Sequence, residues 1–556
     1  MKIIECVPNV SEGRDEAVLT AIADAVRSVD AVQLLDMDPG AETNRTVFTF
    51  VGSEDGIAEA AFRLVLSATK KIDMRRHRGA HARMGAVDVV PFVPVGGGAT
   101  MDDCVALARR VGQRLGEELG IPIYLYERAA ARDERRSLAE VRKGEYEGLP
   151  AKLADPEWKP DFGPTRFVAE SGATIVGARP FLIAYNVDLN TPSRKLAHDI
   201  ALDIREQGRF VRDADGKIVR DDEGRRQRQP GRFNAVRAVG WYIPEFGRAQ
   251  VSINLTDYHV TAPHVVFEAV REEARRRGLR VTGSEIVGLV PLEAMLMAGR
   301  FYAEQQGGVG WLPEPDLVEL ARISLGLDDV KRFDPQETII DYRLQKRIDG
   351  LRASSLTAFA DELSRSSPAP GGGSVAAVCG ALGAALASMV AALTHAGANA
   401  AERSELAALG LRAQQLKDRL LRAIDEDTDA FEGMRAAGRM PRKTDQQQAE
   451  REQALVEATR RAIEVPLSVV EAAKDVAELA SEIAEHGLEA AVSDAGVAAW
   501  CARAAAESAA LNVRINLPGL SNADERGRIE HRLQASLETA RQQADKASNM
   551  AQRRIG

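Results

Sequence analysis

Residues 371–401 read GGGSVAAVCGALGAALASMVAALTHAGANAA and contain no Asp, Glu, Lys or Arg. A stretch of this length could span a membrane. It consists mainly of Ala and Gly, however, and has few of the large apolar side chains that drive insertion. Small side chains let helices approach closely, so the stretch predicts a buried bundle helix or a subunit-interface helix. We therefore expect no transmembrane segment here.

The composition around this stretch differs from that of the preceding chain. Of the 27 aromatic residues, only Phe359, Phe431 and Trp500 follow residue 350, and only five of the 23 prolines do. Abundant Ala, Leu, Glu and Arg with few aromatic residues are typical of helix. The sequence predicts an all-α helical-bundle domain over residues 351–556. Its expected helices span about 354–366, 372–397, 402–436, 445–464, 467–485, 489–514 and 523–553.

The first 330 residues instead alternate strand-like and helix-like segments. Up to residue 94 the order is β-α-β-β-α-β, which is the ferredoxin-like order, and the same order recurs over about 181–289. We predict an N-terminal α+β part made of two ferredoxin-like α/β-sandwich subdomains, residues 1–178 and 179–330, with a ligand cleft between them. Residues 331–350 are polar and are expected to form a linker.

Residues 209–232 interrupt the second copy and are dense in charges of both signs. An Asp-Gly pair within them predicts a solvated hairpin. A flexible loop that contacts an anionic ligand is the alternative.

The net charge of −9 and the pI of about 5.6 argue against a nucleic-acid partner. The four cysteines lie far apart and form no C-x-x-C pair. Reduced thiols in a cytoplasmic protein are the simplest interpretation. The first residues show no signal-peptide pattern.

Residues 77–85, HRGAHARMG, form the densest polar cluster and precede an apolar strand. Histidine suits proton transfer near neutral pH, and arginine suits carboxylates. A catalytic loop and a basic surface loop are both compatible with the pattern. A metal site is less supported, because Gly79 argues against a helical His-x₃-His pair. Asp38 ends a strand, where it is either a turn former or a carboxylate that orients a catalytic histidine.

An acidic cluster, residues 425–429, fails as a calcium loop because Ala430 replaces the required Gly. On a helix, Asp427 falls in the centre of an apolar stripe, while Asp425, Glu426 and Asp429 face the other side. A buried carboxyl suits a general acid/base; a structural ion pair with a buried Arg is the alternative. The stripe is formed by Leu420, Ile424, Phe431 and Met434.

The sequence SPAPGGGS at 367–374 opens the uncharged helix. A glycine loop before a helix N-terminus exposes N–H groups to an anion. A plain cap formed by Ser374 is the alternative. The loop is not a Walker A motif, because no Gly-Lys-Ser/Thr follows.

Motifs of the first part resemble glutamate formimidoyltransferase. The resemblance covers about residues 1–330, and several motifs agree in order. The matching stretches are ECVPNVSEG (5–13), TNRTV (43–47), RHRGAHARMGAVD (76–88), DFGP (161–164), REQGR (205–209) and VGLVP (287–291).

The resemblance implies transfer of a formimidoyl group from N-formimidoylglutamate to N5 of tetrahydrofolate, with His81 as the catalytic acid/base. Arg78 and Arg83 are candidate clamps for substrate carboxylates. Val10 stands where Phe is usual and Ser171 where Trp is usual. The folate-binding segment implied by the family comprises Gly163, Pro164, Thr165, Arg166, Phe167, Val168, Ala169, Glu170, Ser171 and Gly172.

Motifs of the second part resemble formimidoyltetrahydrofolate cyclodeaminase, whose catalytic aspartate corresponds to Asp427. The implied reaction closes the folate ring to 5,10-methenyltetrahydrofolate and releases ammonia. Gly371, Gly372, Gly373 and Ser374 are candidate folate-binding residues. The matching stretches are APGGGSVAA (369–377), DEDTDAF (425–431), VPL (465–467), SD (493–494) and NVRIN (512–516).

Together the resemblances imply a bifunctional folate enzyme of histidine degradation. Tetrahydrofolate, with or without a polyglutamate tail, would be its co-substrate, no metal would be needed, and the chain would form a homo-oligomer. A transferase whose helical domain serves only for oligomerisation or folate binding is the alternative. A non-enzymatic folate-binding protein is a further one.

Overall fold

The computed structural model of the chain describes residues 2–41, 43–79, 82–344 and 350–556. The chain forms two compact units, Met1–Ala294 with Leu325–Arg343 and Met295–Ser324 with Leu344–Gly556. The first unit contains mixed sheets with helices, and the second consists of helices. The predicted fold class, an α+β part followed by an all-α bundle, is confirmed.

The first sheet and its helices follow the predicted order closely. Helix α3 begins with a capping box in which Thr100 and Asp103 bond to each other's backbone N–H groups. The elements are β1 (Ile3–Cys6), β2 (Asn9–Val10), α1 (Glu16–Arg27), β3 (Val32–Gly40), β4 (Arg45–Gly52), α2 (Glu54–Lys71), β5 (Val87–Gly96), α3 (Met101–Glu118), β6 (Ile123–Glu127), α4 (Leu138–Arg142), α5 (Leu149–Ala154) and β7 (Thr174–Ala178).

The order of strands in this sheet is ferredoxin-like with an extension. Strands β1 and β2 lie between β4 and β5, β3 pairs with β4, and all of these pairs are antiparallel. Strands β7 and β6 then add to β5 in parallel. The helices cover one face, where side chains such as Phe48, Phe50 and Phe92 are fully buried. The other face remains available for a site.

The second sheet has the order β11-β12-β8-β13, entirely antiparallel, which is again ferredoxin-like. Alternate residues such as Tyr185 and Val251 are buried, while Asn186 and Asn254 lie on the opposite face. The elements are β8 (Ile183–Leu189), α6 (Arg194–Ile204), β9 (Arg209–Phe210), β10 (Arg228–Gln229), β11 (Val236–Ile243), β12 (Arg248–Leu255), α7 (Pro263–Arg276) and β13 (Val281–Val287).

The charged segment between β9 and β10 contains two consecutive tight turns rather than one hairpin. The Asp213 carboxylate accepts a hydrogen bond from the N–H of Lys217, and the Asp221 carboxylate accepts one from the N–H of Arg225, both at 2.8 Å. The segment is largely exposed to solvent, as predicted for a solvated turn.

Four further helices precede the bundle. Residues 345–349, in the predicted linker, lie outside the described residues, and the remainder of the linker contains two short helices. The four helices are α8 (Leu292–Gln305), α9 (Glu314–Ser324), α10 (Pro335–Thr338) and α11 (Ile340–Leu344).

The bundle is built from long helices whose core is rich in alanine. Helix α13 is long and apolar enough to cross a membrane by length and composition, yet 56% of its most apolar window is buried within the bundle. Its small side chains allow close packing against neighbouring helices. The helices are α12 (Leu356–Leu363), α13 (Gly372–His395), α14 (Ala400–Arg439), α15 (Asp445–His486), α16 (Val492–Asn516) and α17 (Ala523–Ile555).

The predicted break at Pro466 is wrong, because α15 continues through it. Proline has no N–H, so the carbonyl of Ala462 loses its usual helical donor. Asn516 of α16 replaces that donor, because its Nδ2 lies 3.1 Å from the Ala462 oxygen. A side chain from another helix therefore satisfies the group that proline leaves unpaired.

Candidate active sites

A cavity of about 370 Å³ lies between the two sheets of the first unit. Alternating residues of β1, β2 and β4, including Glu5, Asn9 and Arg45, line it from the first sheet. Arg237 and Asn254 line it from the second sheet. The predicted cleft between two α+β subdomains is therefore present, and its walls combine charged and apolar side chains.

Acidic and basic side chains are mixed in this cavity. Burial raises the pKa of Glu5 to about 7, and the positive charge of Arg179 partly opposes that rise. Burial, together with the negative charge of Asp38, also raises the pKa of Asp36. The arginines that line the cavity are Arg45, Arg142, Arg179 and Arg237. A cavity with this charge pattern suits a ligand that carries both carboxylates and a cation.

Asp38, predicted to orient a catalytic histidine, lies on β3 and lines this cavity. His81, the predicted catalytic histidine, lies outside the described residues. The predicted contact between the two therefore stays a prediction.

The flanking part of the histidine loop is held by His77. Its Nε2 lies 3.0 Å from the carbonyl oxygen of Asn44, and Arg83 Nε lies 3.4 Å from its Nδ1. Because arginine can only donate, Nδ1 is the acceptor and Nε2 carries the proton. Burial lowers the pKa of His77, which keeps it neutral. His77 thus anchors the loop.

Arg83, a predicted substrate clamp, is already engaged within the protein. It binds Glu147 through both terminal nitrogens, at 2.7 and 2.9 Å, and Glu145 at 3.3 Å. Its side chain is 10% exposed. These contacts assign Arg83 to holding the loop and leave it little capacity for a substrate carboxylate. Arg78 is exposed, donates one N–H to the His77 carbonyl at 2.7 Å, and remains the candidate clamp.

The structure brings the predicted folate segment, residues 163–172, against this loop. The N–H of Ala86 donates to the Ser171 carbonyl at 2.8 Å, and the N–H of Met74 donates to the Glu170 carbonyl at 2.9 Å. Gly172 has a φ of +68°, and a Cβ there would lie 2.2 Å from the Met84 carbonyl oxygen. Only glycine fits at that approach.

Ser171 is buried, and its small side chain contributes no aromatic surface. The aromatic group of this segment is Phe167, whose ring packs on Tyr146 with centroids 5.5 Å apart. The Tyr146 hydroxyl donates to the Ala169 carbonyl at 2.6 Å, which fixes the pair against the segment.

The second site lies in the bundle, where α14 meets the N-terminus of α13. Asp427 Oδ2 is 3.0 Å from the Ser374 hydroxyl. Burial raises the pKa of Asp427, while hydrogen bonds from the Ser374 side chain and backbone oppose that rise. A Cβ at Gly373 would lie 2.0 Å from Asp427 Oδ1, and one at Gly372 would lie 3.5 Å from Asn512 Nδ2. The glycine loop and Asp427 thus form one site.

The alternative of a structural ion pair is not supported for Asp427, which pairs with no Lys or Arg in the described part of the chain. It applies instead to Asp425, whose carboxylate lies 3.2 Å from Arg352 Nε. The expectation that Asp425 is one of three solvated acids is therefore wrong. The predicted apolar stripe also needs a correction, because Phe431 is 37% exposed and Ala430 is buried in its place.

Sequence reasoning missed Glu5, Arg45, Arg179 and Arg237 as cavity residues. Glu5 and Arg45 lie within motifs quoted above, and a charged residue inside an apolar strand was the available signal. Arg237 carries the same signal, because it lies inside the apolar strand β11, whereas Arg179 follows the end of β7 and does not carry it. Pairing of both β1 and β7 with β5 brings Arg179 to Glu5 within the first sheet, whereas only the approach of the second sheet brings Arg237 into the same cavity. Within the described residues, no group of three or more His, Cys, Asp or Glu side chains could hold a metal ion.

Family models match nearly the whole chain. "Formiminotransferase domain, N-terminal subdomain" covers residues 3–179, "Formiminotransferase domain" covers 184–345, and "Formiminotransferase-cyclodeaminase" covers 355–535. The formimidoyltransferase-cyclodeaminase of Rattus norvegicus is 42% identical over 98% of this chain and 97% of the rat protein. The chain belongs to the formimidoyltransferase-cyclodeaminase family.

A shorter relative is similar to about the N-terminal half of this chain. The glutamate formimidoyltransferase of Streptococcus pyogenes is 41% identical over 54% of this chain and 94% of its own length. A crystal structure of formiminotetrahydrofolate cyclodeaminase from Thermotoga maritima covers 37% of this chain and 100% of its own, with 26% identity and a TM-score of 0.34.

Proposed function

We propose that the chain catalyses two consecutive reactions of histidine degradation. The first transfers a formimidoyl group from N-formimidoyl-L-glutamate to N5 of tetrahydrofolate. The second converts the 5-formimidoyltetrahydrofolate to 5,10-methenyltetrahydrofolate and ammonia. The observation that carries the proposal is the presence of a separate charged site in each half of a chain that is similar to the bifunctional rat enzyme over 98% of its length.

In the first reaction, N5 attacks the formimidoyl carbon, and a tetrahedral intermediate forms. A base takes the N5 proton, and an acid protonates the glutamate nitrogen as its bond to carbon breaks. We assign both roles to His81, because one histidine can do them in turn. Asp38 in the cavity is the candidate for orienting it. Arg45, Arg179 and Arg237 are candidates for holding the substrate carboxylates.

In the second reaction, N10 attacks the same carbon and loses its proton, while the exocyclic nitrogen gains a proton and leaves as ammonia as its bond to carbon breaks. Asp427 is the proposed acid that protonates this nitrogen. Partial burial raises the pKa of Asp427 and so favours the neutral carboxyl, which is the form that can donate a proton. The folate, with or without a polyglutamate tail, would lie at the glycine loop, where the N-terminus of α13 favours negative charge.

An assay that follows both products tests the proposal. N-formimidoylglutamate and tetrahydrofolate are mixed with the protein, and methenyl absorbance and ammonia are recorded. We expect His81→Ala to lose both signals when supplied with these substrates. Asp427→Asn should still consume N-formimidoylglutamate but release no ammonia. An Asp427→Asn protein that makes methenyltetrahydrofolate at the wild-type rate would contradict the assignment.

The alternative is a transferase whose helical domain serves only for oligomerisation or folate binding. It predicts formimidoyl transfer without ammonia release in the wild-type protein. The Asp427–Ser374 arrangement argues against it, because a bundle that only oligomerises gains nothing from an unpaired, half-buried carboxyl.

We also propose that the chain forms a homo-oligomer in the cytoplasm. Leu382, Met389 and Leu393 follow one stripe of α13 and are 55%, 40% and 48% exposed, and Trp500 of the neighbouring helix α16 is 54% exposed. Contiguous exposed apolar side chains are typical of an interface. The four cysteines are free, which supports a reducing compartment. Sedimentation of Leu382→Glu against the wild type tests the interface.

A further inference from the structure

Glu5 is a buried carboxyl in the wall of the first cavity, where the positive charge of Arg179 acts on it. It is 2% exposed, lies on β1 and contributes to the cavity wall. Its carboxyl forms no hydrogen bond or ion pair with the described residues. Asp88, equally buried on β5, is by contrast paired with Arg142 and accepts the N–H of Met84. An apolar residue at position 5 would avoid the cost of burying an unpaired acid.

The donor substrate carries a cation as well as carboxylates. A formimidoyl group attached to nitrogen is an amidine, which is a strong base and is protonated near neutral pH. Its two N–H groups lie side by side, as in the guanidinium group that binds carboxylates in bidentate fashion. The arginines of the cavity can bind the carboxylates of the donor. They cannot bind its amidinium cation, which needs an acidic side chain instead.

We propose that Glu5 receives the amidinium of the formimidoyl group and selects the formimidoyl donor over a neutral formyl donor. The inference rests on the proposed first reaction and adds a specificity-determining residue to it. Among the described acids of the cavity, Asp38 is exposed and Asp36 is partly exposed. Glu5 is the deeply buried one, where a charge-assisted hydrogen bond is strongest.

The protonation of Glu5 fits this role. Burial raises its pKa to about 7, so near neutral pH a fraction of the carboxyl is protonated in the empty cavity. A bound amidinium favours the ionised carboxylate. Molecules in which Glu5 was protonated therefore release that proton when the donor binds. The other charged groups that line the cavity are Asp36, Asp38, Arg45, Arg142, Arg179 and Arg237, with Tyr126 as a further titratable group.

Calorimetric binding of two donors to the full chain tests the proposal. N-formimidoylglutamate and N-formylglutamate differ in the charge of the transferred group and share both carboxylates. We expect Glu5→Gln to weaken binding of N-formimidoylglutamate about 10- to 100-fold, the range for loss of a charged hydrogen-bond partner. Binding of N-formylglutamate should change by less than about threefold, because its neutral group makes no ion pair. Proton release should disappear.

A matched control is Asp188→Asn, which neutralises another fully buried carboxyl of the same unit that does not line the cavity. It should keep the wild-type preference between donors. Equal weakening of both donors by Glu5→Gln, or an unchanged preference, overturns the role of Glu5. If Glu5→Gln fails to fold, Glu5→Asp is tested instead. It retains the negative charge, so it should retain the preference for the formimidoyl donor, and loss of that preference would contradict the role of Glu5.

Binding is measured without tetrahydrofolate, so failure of the proposed reaction is seen separately. A wild-type protein that binds N-formimidoylglutamate but transfers nothing would contradict the proposed function and leave the Glu5 comparison intact. A wild-type protein that binds both donors equally overturns the role of Glu5 even if transfer occurs.

Discussion

The Ser374 hydroxyl lies 3.0 Å from Asp427 Oδ2 and 3.2 Å from the carbonyl oxygen of Ile424. A hydroxyl has one proton, so it donates to one of these acceptors at a time. When Asp427 is ionised, Ser374 can donate to it. When Asp427 is protonated, its own O–H can donate to Ser374, which then turns to Ile424. Ser374 can therefore form a hydrogen bond with either protonation state of Asp427.

Replacing Ser374 by Ala should therefore raise the pKa of Asp427 further. The hydrogen bond from the hydroxyl favours the carboxylate and lowers this pKa, so its loss acts in the opposite direction. If the neutral acid is the active form, the loss of ammonia release at high pH should move to higher pH. Rate profiles for ammonia release measure this shift.

Ser388→Ala is the control for that profile, because Ser388 is a buried serine of the same helix that accepts a hydrogen bond from Gln414. Its profile should match that of the wild type. A Ser374→Ala profile that is unchanged, or that moves to lower pH, would contradict the assigned role.

Gly373 should not tolerate a side chain. A Cβ there would lie 2.0 Å from Asp427 Oδ1, so Gly373→Ala must displace the carboxyl. Misplacing a catalytic group by about 1 Å costs on the order of 100-fold in rate. We expect ammonia release to fall by at least about 10-fold while formimidoyl transfer is retained. Gly433→Ala on α14 meets no atom within 4 Å and should leave both reactions unchanged.

Asp188 should make the unfolding free energy depend on pH. It is fully buried on β8, and burial raises its pKa to about 6, which the nearby Gln250 side chain partly opposes. Below about pH 4 the carboxyl is protonated in both the folded and the unfolded state, so folding carries no penalty. Above about pH 6 it is ionised in both, and the folded state is less stable by about 3 kcal/mol. Stability is thus lost as pH rises between these values.

Asp188→Asn should remove this slope and raise the melting temperature above about pH 6. Asp88→Asn is the contrasting variant, because it leaves Arg142 without its partner and should lower the melting temperature at neutral pH. A constant difference between Asp188→Asn and the wild type at pH 4.5 and 7.5 would argue against the prediction.

Sequence patterns were sufficient where the structure depends on local spacing. Strand and helix periods predicted both ferredoxin-like orders. The position of Asp427 among apolar residues predicted a buried carboxyl, and the structure shows it to be partly buried. They were insufficient where the outcome depends on distant chain segments. Phe431 has the correct helical spacing for the core, yet no neighbour covers it fully. Ser374 meets Asp427 from a position 53 residues away, and Arg237 shares a cavity with Glu5 only because two sheets approach.

The continuity of α15 through Pro466 should depend on Asn516. Asn516 Nδ2 donates to the Ala462 carbonyl, which lacks a helical donor because residue 466 is proline. Asn516→Ala leaves this buried carbonyl unsatisfied, which should cost about 1–3 kcal/mol of unfolding free energy. In a Pro466→Ala background the backbone N–H is restored, so the same substitution should cost less. Urea unfolding followed by helical circular dichroism gives all four free energies of the double-mutant cycle. Equal costs of Asn516→Ala in the two backgrounds would show that Asn516 does not compensate for the proline.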